Sequence, residues 1–199
     1  MTEQQHPPLL VVLSGPSGVG KDTVLQKMRE LGLPMHYALT ATTRNRRPGE
    51  MDGYHYYFLT EEEFEKKKEQ NEFLEHACVY GYWYGSLKAP IREALERNQD
   101  VILKIDVQGA RSVRKEAPDA LFIFLAPPSI EWLRHHLRAR KTETPEKLRE
   151  REQAAIVEMD ARDEFDHVVV NRDGDVEGVV REIEDLIAQA RVGRREVKL

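Results

Sequence analysis

The residues best placed to do chemistry lie between Ser14 and Thr23. There, Ser14-Gly15-Pro16-Ser17-Gly18-Val19-Gly20-Lys21 follows the apolar run Leu9-Leu10-Val11-Val12-Leu13. It leads into Val24, Leu25, Met28 and Leu31, spaced as one face of a helix. A strand, a glycine-rich loop and a helix N-terminus in that order make a phosphate cradle. Gly15, Gly18 and Gly20 let the backbone curl, successive N–H groups point inward, the helix dipole adds positive potential, and Lys21 reaches the outer phosphates. ATP is the natural occupant. The residue after the lysine is Asp22, where a loop of this kind carries Ser or Thr to hold Mg²⁺.

The elements that must position this loop are those of an ordinary soluble α/β chain. With 199 residues, the length suits one domain with inserted structure, and a formal charge of -5 gives no global attraction for nucleic acid or an anionic membrane. The single cysteine, Cys78, cannot close an intramolecular disulfide, and no Cys/His cluster has zinc spacing. No apolar run approaches the roughly 20 residues of a membrane span, and the polar start lacks a leader pattern. The expected setting is therefore the cytoplasm, with no nucleic-acid or membrane partner; the composition does not speak to oligomeric state.

After the first helix the pattern shortens. Met35 to Thr43 and Gly53 to Leu59 read as β-like runs, Thr60 with Glu61-Glu62-Glu63 as a capped helix start, Glu72 to Tyr80 as a strand, Gly81 to Gly85 as a turn crowded with aromatics, and Lys88 to Asn98 as a short helix. Strand and helix then alternate: Val101 to Asp106, Gln108 to Glu116, Leu121 to Leu125, Ile130 to Ala139. A charged segment from Arg138 to Arg151 passes into a helix over Pro145 to Asp163, followed by a strand at His167 to Val170 and a helix at Val176 to Ala190. The fold class expected is α/β. Residues 1–34 and 99–199 form a parallel-sheet core of the phosphate-loop NTPase type, residues 35–98 an inserted mixed α/β region, and residues 136–151 a mobile helical lid.

Thr40-Ala41-Thr42-Thr43-Arg44-Asn45-Arg46-Arg47-Pro48-Gly49-Glu50-Met51-Asp52-Gly53-Tyr54-His55-Tyr56 narrows this considerably. Together with Glu72-Phe73-Leu74-Glu75, Tyr84-Gly85-Ser86, Ile105-Asp106-Val107-Gln108-Gly109, Ala126-Pro127-Pro128-Ser129 and Val168-Val169-Val170-Asn171, it resembles guanylate kinase, the ATP-dependent GMP phosphotransferase, over nearly the whole chain. The resemblance makes the inserted region the GMP site, with Arg44, Arg47, Tyr56 and Tyr84 on the phosphate, through guanidinium forks and phenolic hydroxyls. Glu75 and Ser86 suit guanine, which offers N1–H and a 2-amino group as donors and O6 as acceptor; adenine would leave the carboxylate facing an acceptor. The family adds Thr40 and Asp106 to that pocket. On the ATP side it implies Gly15, Pro16, Ser17, Gly18, Val19, Gly20, Lys21, Asp22 and Thr23, with Asn171 near the adenine. The lid arginines match Arg140 and Arg151. Lys21, Arg44, Arg140 and Arg151 are the expected catalytic groups, Mg²⁺ the expected cofactor, and Asp22 its expected protein ligand. Asn171 also reads as a plain turn residue.

Three positions depart from the family pattern: Asp22, Lys104 where the strand usually carries an acid, and His136 in place of an arginine before the lid. His136 reads either as a weakened phosphate partner or as a helix-surface side chain. Lys104 shares strand parity with Asp106, which puts it beside the loop and within reach of Asp22; the alternative is a lysine that simply extends to solvent. Two rival functions fit part of the pattern. A non-catalytic guanylate-kinase-like module would bind phosphorylated peptides, but such modules tend to lose the phosphate loop. A ribose 1,5-bisphosphate phosphokinase tolerates Asp after the loop lysine but lacks the GMP constellation.

Overall fold

A computed structural model describes residues 6–79, 81–139, 145–192 and 197. In chain order the core begins with β1 (Leu10–Ser14), the phosphate loop, α1 (Lys21–Glu30) and β2 (Met35–Tyr37). The inserted region comprises β3 (Thr40–Thr42), β4 (Tyr57–Phe58), α2 (Glu61–Glu69), β5 (Phe73–Val79) and β6 (Tyr82–Leu87). The core resumes with α3 (Lys88–Glu96), β7 (Asp100–Lys104), α4 (Val107–Glu116), β8 (Leu121–Ala126), α5 (Ile130–Ala139) and α6 (Pro145–Met159). A 3-10 turn (Asp160–Glu164), β9 (His167–Val170) and α7 (Val176–Arg191) close it.

The core sheet is parallel, in the order β2-β7-β1-β8-β9. Its centre, β1, is buried at every residue because both faces are covered. Leu9, Val11 and Leu13 pack with Val24 and Met28 of α1, Leu133 of α5 and Val180 and Ile183 of α7. Leu10 and Val12 pack on the other side with Ile91 of α3 and Ala110 and Val113 of α4. That is why β1 reads as an unbroken apolar run and not as an alternation.

The second sheet, β4-β3-β6-β5, joins β3 and β4 in parallel and β3, β6 and β5 antiparallel. It has its own small core of Ala41, Phe64 and Phe73, with Phe64 stacked on Phe73 at 4.3 Å. The helix α2 that supplies Phe64 starts with a complete capping box. Thr60 accepts from the Glu63 N–H at 3.1 Å, and Glu63 accepts from the Thr60 N–H at 2.8 Å.

Two local expectations change. The aromatic stretch 81–85 is no isolated turn: residues 82–87 form β6, the strand that joins β3 to β5. The run Met35 to Thr43 divides, with β2 paired to β7 in the core sheet and β3 in the inserted one, so the core sheet takes in residues that the sequence pattern groups with the insertion. A three-residue edge strand carries too little pattern to reveal which sheet it joins. Cys78 is exposed. Among the described residues, no helix is long and apolar enough to cross a membrane.

Candidate active site

The phosphate loop leaves β1 at the C-terminal edge of the parallel sheet, where such sheets open their ligand crevice. At its far end Gly20 caps α1 with φ +96°, and a Cβ there would lie 2.6 Å from the Asn171 side-chain nitrogen. Asn171 is buried and donates to the Val19 carbonyl at 2.7 Å. Its amide therefore braces the loop from behind, which the adenine placement implied by resemblance does not anticipate. The Lys21 ammonium folds back onto the loop, donating to the Gly15 and Pro16 carbonyls at 2.5 and 3.1 Å. Burial lowers its pKa from the ordinary lysine value, opposed by the carboxylates of Glu158 and Asp22.

The helix α6 meets the loop at Ser17. Arg151 donates to the Ser17 hydroxyl at 3.0 Å, and a Glu158 carboxylate oxygen accepts from the Ser17 N–H at 2.9 Å. Seven residues are about two helical turns, so both side chains leave the same face of α6. Burial raises the Glu158 pKa, opposed by its bond from Ser17 and by Lys21. Glu158 is absent from the sequence-derived site; its only signal is the two-turn spacing from Arg151. Arg140, the other expected lid arginine, lies outside the described residues. His136 is not among the residues that line the crevice. Its ring stacks on Trp132 at 3.6 Å, Nδ1 lies 2.9 Å from the Trp132 carbonyl, and Nε2 lies 3.8 Å from Asp173.

Across the crevice the small sheet is read by its register. Thr40 pairs with Ser86, Thr42 with Tyr84, and Ser86 with Glu75, so these side chains share one face. On that face Glu75 is buried and accepts from the Ser86 hydroxyl at 2.7 Å. Burial pushes the Glu75 carboxyl up to about 7, with the Ser86 hydrogen bond opposing and the charge of Asp106 adding to the rise. Asp106 caps α4 by accepting from the Gly109 N–H at 2.8 Å, and burial raises its pKa too. A Cβ on Gly109 would stand 2.5 Å from the second Glu75 oxygen, so any larger residue there would have to push the Glu75 carboxylate aside where the two carboxylates converge.

Arg44 is nearly buried and held by Glu50 through two bonds, at 3.0 and 2.8 Å; Glu50 also accepts from the Arg47 N–H at 2.8 Å. Desolvation of Arg44 is outweighed by Glu50, and its pKa rises. Glu50 thus sets the turn that carries both arginines, a role its place in Arg-x5-Glu gives no means to identify. Tyr56 lies with its ring 6.5 Å from that of Tyr84 and 5.4 Å from the Arg44 guanidinium carbon.

Lys104, the last residue of β7, spans the two halves. Its ammonium donates to Asp22 at 2.5 Å and to the Tyr56 oxygen at 3.1 Å. Desolvation lowers its pKa but Asp22 and Tyr56 outweigh that, and the net direction is up. The expected Asp22–Lys104 pair is formed. Its side chains are 74% and 19% exposed, so it fixes a position more than it stabilises the fold.

One crevice thus gathers Gly15, Ser17, Gly18, Val19, Gly20, Lys21 and Asp22 with Thr40, Arg44, Arg47, Tyr56, Glu75, Tyr84, Asp106 and Arg151. Pro16, Thr23, Ser86 and Asn171 stand outside its lining. Ser86 acts from behind Glu75, and Asn171 from behind the loop.

A parallel sheet with a phosphate loop at its edge, facing a second sheet that offers cations and a buried carboxylate, defines a phosphate-loop nucleotide-binding protein with a second polar pocket. The profile of the guanylate kinase family matches residues 8–190. The chain is 44% identical over 192 residues to a guanylate kinase of Carboxydothermus hydrogenoformans, covering 96% of this chain and 93% of the relative. It is 44% identical over 195 residues to guanylate kinase 2, chloroplastic/mitochondrial, of Oryza sativa subsp. japonica, covering 96% and 68%. The crystal structure of guanylate kinase from Anaplasma phagocytophilum superposes with a TM-score of 0.75 at 28% identity, over 95% of this chain and 88% of that one. The chain belongs to the guanylate kinase family.

Proposed function

We propose that this protein transfers the γ-phosphate of ATP to GMP, and to dGMP, giving ADP and GDP or dGDP. The observation that carries the reading is the buried Glu75–Ser86 pair on the crevice face opposite the phosphate loop. An ionised Glu75 accepts from guanine N1–H and the 2-amino group together, and an adenine in the same place would leave it unsatisfied. Arg44, Arg47, Tyr56 and Tyr84 hold the acceptor phosphate by charge-assisted bonds. The loop amides, Lys21 and Arg151 hold the donor. A GMP phosphate oxygen forms the new bond to the γ-phosphorus as the bond to the β,γ-bridging oxygen breaks, and ADP leaves with that electron pair. Positioning and charge neutralisation are the protein's whole contribution, so no general base is needed.

The family implies Mg²⁺. A single carboxylate beside bound phosphates is the donor set that this ion takes, and Asp22 supplies one. Among the described residues no three His, Cys, Asp or Glu side chains cluster as a self-sufficient metal site. Bound through Asp22 and the nucleotide, Mg²⁺ would neutralise charge on the β- and γ-phosphates. The composition supports a cytoplasmic setting.

A coupled assay of ADP release with ATP and Mg²⁺ tests the function. GMP and dGMP are expected to turn over, AMP and ribose 1,5-bisphosphate to give only background. No ADP with GMP, or equal rates with AMP, would overturn the reading.

A further inference from the structure

Lys104 belongs to neither substrate's set of contacts in the reading above, yet it touches a residue of each. Its ammonium is held by Asp22 of the ATP loop and donates to Tyr56 of the acceptor side. A lysine has three donors and no acceptor, so in this bond the phenol oxygen must accept. The phenol's own hydrogen is then left to point elsewhere. The ammonium also lies 4.9 Å from the Tyr56 ring centroid, while the Arg44 guanidinium carbon lies 5.4 Å from it, so two cations flank the ring. An oxygen that accepts from a cation gives up its own proton more readily in a hydrogen bond.

We propose that Lys104 is a positioning residue for the acceptor: it occupies the Tyr56 oxygen and so turns the phenolic O–H toward the monophosphate, while Asp22 fixes the ammonium. The inference rests on the GMP reading. It gives the Asp22–Lys104 exchange a role on the acceptor side as well as at the ATP loop.

The test is calorimetric titration of GMP, without ATP or Mg²⁺, into the wild-type chain, Lys104→Met, Tyr56→Phe and the double variant. Each single change is expected to weaken GMP at least about tenfold, the scale of a lost charge-assisted bond. In the Tyr56→Phe background Lys104→Met is expected to cost less than about threefold. Guanosine, which has no phosphate, is expected to bind the wild type and Lys104→Met alike, an outcome a merely structural lysine would not give. Losses that multiply in the double variant, or a guanosine affinity that falls in step with that of GMP, would overturn the proposal. A wild-type chain that binds no GMP would overturn the GMP reading and the proposal with it. Urea unfolding establishes that the variants are folded. If Lys104→Met is not, Lys104→Gln takes its place, with the same criteria.

Discussion

Glu75 answers to two opposed demands. Burial favours its neutral form and carries its pKa to about 7, whereas guanine's two donors call for the carboxylate. Binding GMP should therefore expel a proton, and affinity should rise with pH up to about 7 and level off above it. Titrations of GMP between pH 6 and 8, repeated in buffers of different ionisation enthalpy, read both effects. Glu75→Gln should flatten the profile and erode the preference for GMP over AMP; an unchanged profile would remove Glu75 from the role. The same shift bears on stability. Because the folded pKa is raised, the folded chain holds a proton that the unfolded chain has released, so stability falls as pH rises from about 4.5 to about 7 and is level above that. At about 1.4 kcal/mol per pH unit, the cost above pH 7 is roughly 3 kcal/mol. Unliganded Glu75→Gln should therefore withstand more urea than wild type at pH 8. The family resemblance of Glu72-Phe73-Leu74-Glu75 and Tyr84-Gly85-Ser86 singles out Glu75 and Ser86, and a carboxylate beside a hydroxyl then suits guanine. The sequence does not reveal the raised pKa, which comes first from burial that only the assembled sheet and α4 create and then from the charge of Asp106.

At the scale of elements, α6 governs the loop. Its Glu158 places an anion on the Ser17 amide, in the crevice where a phosphate must come, and Lys21 and Glu158 already attract each other there. A phosphate arriving at that amide has to displace a like charge from a partly desolvated site. Glu158→Gln removes the charge, so ATP should bind more tightly, about threefold or more by direct titration without acceptor, a gain near 0.7 kcal/mol. Unchanged ATP affinity would mean that the carboxylate leaves the loop at no cost. The sequence marks α2 sharply through Thr60 and Glu63, whose capping box is a local device. It misleads at β6, because glycines around aromatics are punctuation in a local reading, whereas residues 82–87 pair on one side with β5 in a tight hairpin, Val79 opposite Tyr82, and on the other with β3, far back in the chain at Thr40. Asn171 is the same case: its partner, the Val19 carbonyl, lies 152 positions away.

At the scale of the whole molecule, the alternation of strands and helices makes the parallel core legible, but not the order of its strands or which edge β2 joins. The closing of the chain on itself is equally invisible locally. Asp100, at the start of β7, is 8% exposed; one oxygen accepts from the Leu9 N–H at 2.8 Å, the other from Arg191 at the end of α7 at 2.5 Å. One carboxylate thus ties the entry to β1, the entry to β7 and the last long helix. Asp100→Ala would leave the buried Leu9 N–H without its acceptor, at about 2 kcal/mol. For a chain of this size that lowers the melting temperature by roughly 4–8 °C. Asp100→Asn keeps an oxygen for Leu9 and loses only the pair with Arg191, which is 42% exposed, so it should cost under about 1 kcal/mol. GMP turnover at 25 °C should be unchanged in both, since Asp100 lies at the opposite end of β7 from Lys104, about 13 Å away along the strand. Thermal melts and assays of the two variants decide it. Equal losses of stability would shift the weight from the Leu9 amide to the ion pair, and a loss of turnover would show that the tie at the base of the sheet reaches the crevice at its top.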